Sequence, residues 1–209
     1  MNTEVLLRTT ALALLLSGCQ TTPEPRPIEL SAQDYYQQGV YAFERGDFRP
    51  AIDDFQRAVE LEPGFAEAHC KMGEAYEELR LNAAAIDAYG RCLEIRPANG
   101  AAHERIGILY FEARQYVPAR SHLEKAVEYA PADHLPYFYL AEIHRKQGEC
   151  ATSLELYRTT LKIAPGFADA KEGLRRTHKD NCRQTARKKA PRKETEFTGG
   201  GKALGPGEW

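Results

Sequence analysis

Five cysteines and six histidines are the residues of this 209-residue chain with the most chemistry in them. His69 and His103 recur at equivalent places in a repeating pattern, which invites a metal reading. On adjacent packed helices they would stand about 10 Å apart, whereas two ligands of one zinc must each lie near 2 Å from it, so they read as packing histidines and no metal is expected. The carboxylates read as solvated helix faces, with no isolated pair in an apolar setting. The sequence has no glycine-rich phosphate loop, no Cys-x-x-Cys, and no Ser, His and Asp set with a local signature. Neither an enzyme nor a cofactor is expected.

What must position these residues is a folded body of ordinary composition. Hydrophobic residues make up 43% of the chain, enough to build a core, and the net charge of -2 excludes a bulk positive field for nucleic acid. The charge is unevenly spread. Residues 20–170 carry 16 Lys and Arg against 24 Asp and Glu, a net of -8, while residues 171–209 carry 11 against 5, a net of +6. The longest apolar run, Ala11 to Leu16, falls far short of the roughly 20 residues that cross a bilayer as a helix.

The first residues read as an export signal: Arg8, an apolar stretch from Thr9 to Leu16, then the small Ser17 and Gly18 directly before Cys19. Leu16-Ser17-Gly18-Cys19 resembles the bacterial lipobox, which implies a signal peptide over 1–18 and a mature protein acylated, palmitate included, on Cys19. Several acyl chains on one cysteine anchor firmly, since each buried CH₂ contributes about 0.8 kcal/mol. Residue Gln20 stands where an aspartate holds Gram-negative lipoproteins at the inner membrane, so the resemblance implies the outer membrane, facing the periplasm. The prolines at 23, 25 and 27 favour an extended tether over 19–31 that lifts the body some 30 to 40 Å from the bilayer at about 3.1 Å per residue.

The body is periodic. Pro63, Pro97, Pro131 and Pro165 stand at equal intervals with no insertion, and Pro63-Gly64-Phe65-Ala66 returns as Pro165-Gly166-Phe167-Ala168. Within each period two helical patterns, with apolar residues at spacings of three and four, break near Gly46, Arg80, Arg114 and Gly148. The matching residues are Gly39, Ala51, Phe55, Ala58 and Pro63, then Gly73, Tyr76, Ala85, Tyr89 and Pro97, then Gly107, Tyr110, Ala119, Ala126 and Pro131. The fourth period, with Leu140, Ala141, Ser153, Tyr157 and Pro165, departs most, having Ala141 in the glycine position and Thr160 in the alanine position. This pattern resembles the tetratricopeptide repeat. The resemblance implies an all-α fold, a right-handed superhelical stack of four helical hairpins over 32–65, 66–99, 100–133 and 134–167. A capping helix over 168–179 closes the 32–179 domain, and 180–209 reads as a disordered basic tail.

In an exported protein the cysteines meet oxidising conditions. Cys70 and Cys92 fall on what read as different faces of one hairpin, which argues against a bond. Cys150, at the turn of the fourth repeat, and Cys182, after the capping helix, lie close to one period apart and occupy near-equivalent places in a stack. They either close a disulfide, within the Cα separation of about 7 Å that one requires, or remain two thiols.

Proteins with this repeat bind extended peptides or partner helices along the concave face lined by the first helices. Carried over residue by residue, that face presents Tyr36, Val40, Phe43 and Glu44, then Cys70, Glu74, Glu77 and Glu78. The third repeat supplies Glu104, Ile108, Phe111 and Glu112, and the fourth Phe138, Glu142, Arg145 and Lys146. The result is an acidic, aromatic groove suited to a cationic or amphipathic protein segment. Together these features imply a lipid-anchored scaffold or assembly factor. The combination of anchor, tether and repeats is similar to pilotin-type lipoproteins of type IV pilus and secretin systems, and to periplasmic adaptors that recruit peptidoglycan hydrolases. A different reading makes the tail the functional part, with Arg183, Arg187, Lys188, Lys189, Arg192 and Lys193 gripping an anionic envelope polymer or lipid headgroups.

Overall fold

The computed structural model describes residues 29–179; Cys19, the Pro-rich tether up to residue 28, Cys182 and the basic tail lie outside the described residues. Within them the chain forms nine α-helices and no strand: α1 (Ala32–Glu44), α2 (Phe48–Leu61), α3 (Ala66–Glu78), α4 (Asn82–Ile95), α5 (Gly100–Glu112), α6 (Tyr116–Tyr129), α7 (Leu135–Gln147), α8 (Cys150–Ile163) and α9 (Ala168–Lys179). None is long and apolar enough to cross a membrane.

Helix α1 opens on a capping box. The Ser31 hydroxyl accepts the Asp34 amide at 3.2 Å and the Asp34 carboxylate accepts the Ser31 amide at 2.9 Å, which satisfies two of the donors a helix start leaves unpaired. Each hairpin then turns on one left-handed residue, at Gly46, Arg80, Arg114 and Gly148, with φ of 82°, 59°, 60° and 78°. Glycine takes this conformation freely, whereas arginine holds it against a steric cost.

Three positions of each second helix face its first helix and are buried: Ala51, Ala85, Ala119 and Ser153; Phe55, Tyr89, Leu123 and Tyr157; Ala58, Cys92, Ala126 and Thr160. The middle position carries the large residue, and in three repeats it seats on a glycine. A Cβ placed on Gly39, Gly73 or Gly107 would come within 2.6, 2.8 and 2.7 Å of Phe55, Tyr89 and Leu123. The fourth repeat has Ala141 there. Tyr157 lies instead against Gly173 of α9, where a Cβ would approach its ring to 2.5 Å. The final helix therefore serves as the packing surface of the last hairpin.

Each second helix also packs on the first helix of the following repeat, and first helices touch one another, α1 with α3, α5 with α7 and α7 with α9. Elements that approach along one side of a stack line its inner curve. The first helices thus form the concave face.

Candidate functional site

On a helix, residues at spacings of three and four share a face. The concave stripe follows 71, 74 and 78 on α3, 105, 108 and 112 on α5, and 139, 142 and 146 on α7, rising from a buried or half-buried floor to the exposed positions 78, 112 and 146. It keeps positions 74, 78, 108, 112, 142 and 146 of the stripe that the sequence suggests and takes 71, 105 and 139 in place of 70, 104 and 138. Four of the expected groove residues, one per repeat, consequently turn into the packing between helices.

Tyr36 packs at a tilt against Phe55 and Phe65, with ring centroids 5.8 and 4.9 Å apart. Cys70 is bonded to Cys92, with Cα atoms 5.3 Å apart, which overturns the expectation that these two do not pair. The reason is the position of Cys92, which fills the buried small-residue slot shared with Ala58, Ala126 and Thr160 and so points straight at the first helix. The Asn99 amide lies 3.4 Å from the Cys70 sulfur, while its side-chain oxygen caps α5 through the Ala102 amide. Glu104 is 7% exposed, and burial followed by its hydrogen bond to Asp133 pushes its carboxyl up to about 8, so it is a proton donor at neutral pH rather than a groove anion. Phe138 packs edge-on against Phe167 at 5.1 Å and at a tilt against Tyr157 at 6.1 Å.

The next two rows are half-buried and largely committed to one another. Val40 joins the core of the first repeat and Ile108 is 6% exposed, so both form floor rather than wall. Glu74 is held by Lys71 at 2.6 Å, and the Lys71 ammonium also lies 5.5 Å from the Phe43 ring centre. Glu77 accepts hydrogen bonds from the Tyr89 hydroxyl and from Arg105 Nε, both at 2.8 Å. Burial and then the Glu77 carboxylate raise the Tyr89 hydroxyl pKa, keeping it a donor. Two repeats on, Glu142 accepts Tyr157 Oη and, at 2.7 Å, Arg145 Nη2. Burial works to raise the Glu142 carboxyl, and the Arg145 and Tyr157 donors outweigh it, leaving it below the usual carboxylate range. Phe111 meets Tyr139 edge-on at 5.1 Å.

The outermost row is Glu44, Glu78, Glu112 and Lys146, which line the rim rather than the interior. Two clefts lie beside it. One of about 340 Å³ is lined by Glu77, Glu78, Arg105, Ile108, Glu112 and Tyr139, and one of about 300 Å³ by Phe111, Phe138, Glu142, Arg145, Lys146 and Asp169. Arg105, Tyr139 and Asp169 were not expected in the site. The signal for the first two was their spacing of three from Ile108 and Glu142.

His103 packs between helices, as the sequence suggests, and its partner is a histidine of the same repeat rather than His69. His103 faces His122 of α6, with Nδ1 atoms 3.1 Å apart, and its Nε2 lies 3.1 Å from the Pro97 carbonyl. An Nε2–H donated to that carbonyl leaves His103 Nδ1 as the acceptor and His122 Nδ1 as the donor. Burial lowers both, and the His103 and Lys125 charges help bring His122 to about 4. Among the described residues no group of three potential metal ligands occurs. Cys150 is disulfide-bonded, and the expected partner Cys182 lies outside the described residues.

Family models described as TPR repeat and tetratricopeptide repeat match residues 42–79, 66–99 and 104–166. No curated protein sequence matches the chain. Among solved structures it is similar to a MamA fragment from Desulfovibrio magneticus RS-1, at TM-score 0.67 and 23% identity over 75% of this chain and 89% of that one. It is also similar to YrrB, described as a TPR protein with an unusual peptide-binding site, at TM-score 0.65 and 22% identity over 72% and 79%. A third similar structure is the Cut9–Hcn1 hetero-tetramer of the APC/C, at TM-score 0.62 and 15% identity over 71% of this chain and 30% of that one.

Proposed function

Because the chain belongs to the tetratricopeptide repeat proteins, we propose that it is a binding scaffold, held at the periplasmic side of an outer membrane by a lipid on Cys19, that captures a segment of a partner protein in its concave groove. The observation that carries the reading is the pair of clefts on the concave face. They combine apolar floor from Ile108, Phe111 and Tyr139 with the charged groups of Glu78, Glu112 and Lys146, whose ion-pairing capacity the fold leaves unspent. Buried aromatic anchors within a charged rim are what short protein segments use for affinity and register. YrrB, which has the same fold, is described as having a peptide-binding site. The anchor rests on Leu16-Ser17-Gly18-Cys19 and on the prolines that follow it.

Envelope fractionation combined with crosslinking tests the two halves separately. The full chain is expected in the outer-membrane fraction with a crosslinked protein partner. Cys19→Ser should take up no fatty-acid label and leave the outer-membrane fraction as an unlipidated precursor, and Glu78→Lys with Glu112→Lys should lose the partner while remaining in the membrane. Retention of the partner by the double variant would remove the groove from the reading, and fatty-acid label on Cys19→Ser would remove the anchor.

A further inference from the structure

We infer that the segment this groove captures is charge-polarised: basic where it crosses the second and third repeats, apolar over the central cleft, and acidic where it reaches the fourth. This rests on the groove reading above and adds the chemistry of the occupant. Glu44, Glu78, Glu112 and Lys146 occupy one position in four successive repeats, so they form a row along the concave face whose sign reverses once. Glu44, Glu78 and Glu112 are each the last residue of their helix. A carboxylate there opposes the helix dipole, whose C-terminal end is negative. No basic residue stands in the last turn of α1, α3 or α5 to offset it, whereas α7 carries His144, Arg145 and Lys146 in its last turn. None of the three glutamates forms an ion pair within the described residues. The fold commits none of these anions to an ion pair, which leaves them to a cationic ligand that can displace Arg80 from the neighbourhood of Glu78.

Lys146 differs in the same sense. Its ammonium lies 5.9 and 6.0 Å from the ring centres of Phe111 and Tyr116, which positions it at the groove wall beside the Phe138 cleft, with no carboxylate in ion-pair contact among the described residues. Packed helices are spaced about 8–10 Å apart, so Glu112 and Lys146 are separated by roughly three residues of extended chain, and Glu78 and Lys146 by roughly six, at about 3.3 Å per residue. The matching segment has Lys or Arg facing Glu78 and Glu112, an apolar or aromatic residue over Ile108 and Tyr139, and Asp or Glu opposite Lys146.

Selection of a random peptide library on the full-length chain, and in parallel on Lys146→Glu, tests this. Peptides enriched on the unmodified chain should carry basic and acidic residues on opposite sides of an apolar one, about three to six positions apart. On Lys146→Glu the acidic end should be replaced by a basic one. A fluorescent copy of the selected peptide should bind Lys146→Glu and Glu78→Lys about fivefold more weakly each, with Lys146→Gln intermediate, and the differences should shrink as salt is raised. Uniformly basic peptides that lose binding on Glu78→Lys but bind Lys146→Glu as well as the unmodified chain would overturn the polarity while leaving the groove. Enriched peptides indifferent to all three changes, or no enrichment, would count against the groove itself.

Discussion

Repeats two and four each bury a tyrosine where repeats one and three bury Phe55 and Leu123, and the two meet the same polar problem from different positions. The Tyr89 hydroxyl donates to Glu77, which also holds Arg105 of the next repeat, so this network ties the second hairpin to the third. The Tyr157 hydroxyl donates to Glu142, which is clamped by Arg145 of its own helix, so these bonds stay within the fourth hairpin. A buried phenol needs an acceptor. Where that acceptor sits decides which groove carboxylate is consumed by the fold and which is left for a ligand.

Removing the covalent bond in the second hairpin should have the largest effect. Cys70 and Cys92 close a loop with a sequence separation of 22, and replacing both by Ala should cost about 3 kcal/mol, read as a lower urea midpoint with a steeper slope, because the unfolded chain is freed to expand. An unchanged midpoint would mean that the hairpin owes its stability to packing alone.

The carboxylates come next. Glu77→Gln and Glu142→Gln each leave an arginine with a weakened partner and a tyrosine with a weaker acceptor, at about 2 kcal/mol apiece. The two should differ in where hydrogen exchange accelerates: across α3, α4 and α5 for Glu77→Gln, and within α7 and α8 for Glu142→Gln. Identical exchange patterns would erase the distinction between a network that links repeats and one that does not.

The fourth repeat's departures and the turn positions were legible in the sequence because a gapless period multiplies every local signal by four. Proline spacing and the sites at 46, 80, 114 and 148 needed no tertiary information. The groove was harder, since helical phase is sensitive to one residue, or about 100° of rotation. Tyr36, Cys70, Glu104 and Phe138 all have side-chain types that suit either a groove or an interior. Only packing against Phe55, Cys92, Asp133 and Phe167 places them inside. The disulfide was nonetheless readable: Cys92 falls in register with Ala58 and Ala126, and a residue in that slot must face the first helix of its own hairpin.

Glu104 extends the comparison to pH. Its folded pKa of about 8 lies above the ordinary 4.5, so the folded state binds more protons than the unfolded one between these values. Its contribution is present below about pH 4.5 and is lost as pH rises through 8. His122, lowered from 6.5 to about 4, contributes in the opposite sense, present above 6.5 and lost as pH falls through 4. Glu104→Gln keeps the shape and removes the ionisation, so it should stabilise the protein by about 1 to 2 kcal/mol at pH 9 and leave it nearly unchanged at pH 5. Equal effects at both pH values would show that Glu104 does not ionise in this range.

The smallest effect separates the turns of the same two repeats. Gly148 carries the left-handed conformation in repeat four, at φ 78°, and Arg80 carries it in repeat two, at φ 59°. A side chain in this region costs about 1 kcal/mol relative to glycine, although glycine also loses more backbone freedom on folding. Arg80 forms no side-chain hydrogen bond or ion pair within the described residues that its replacement would sacrifice, and the same holds for Arg114. Arg80→Gly should therefore stabilise by about 0.5 kcal/mol, with Arg114→Gly matching it and the two adding, since they lie in different repeats. Gly148→Arg should lower stability by a similar amount. Arg80 also lines the central cleft, so Arg80→Gly removes a cation beside Glu78 and should tighten a basic ligand at the same time that it raises the thermal midpoint. A loss of stability in Arg80→Gly would mean that the arginine stem packs well enough over Leu81 and Glu78 to outweigh its backbone strain.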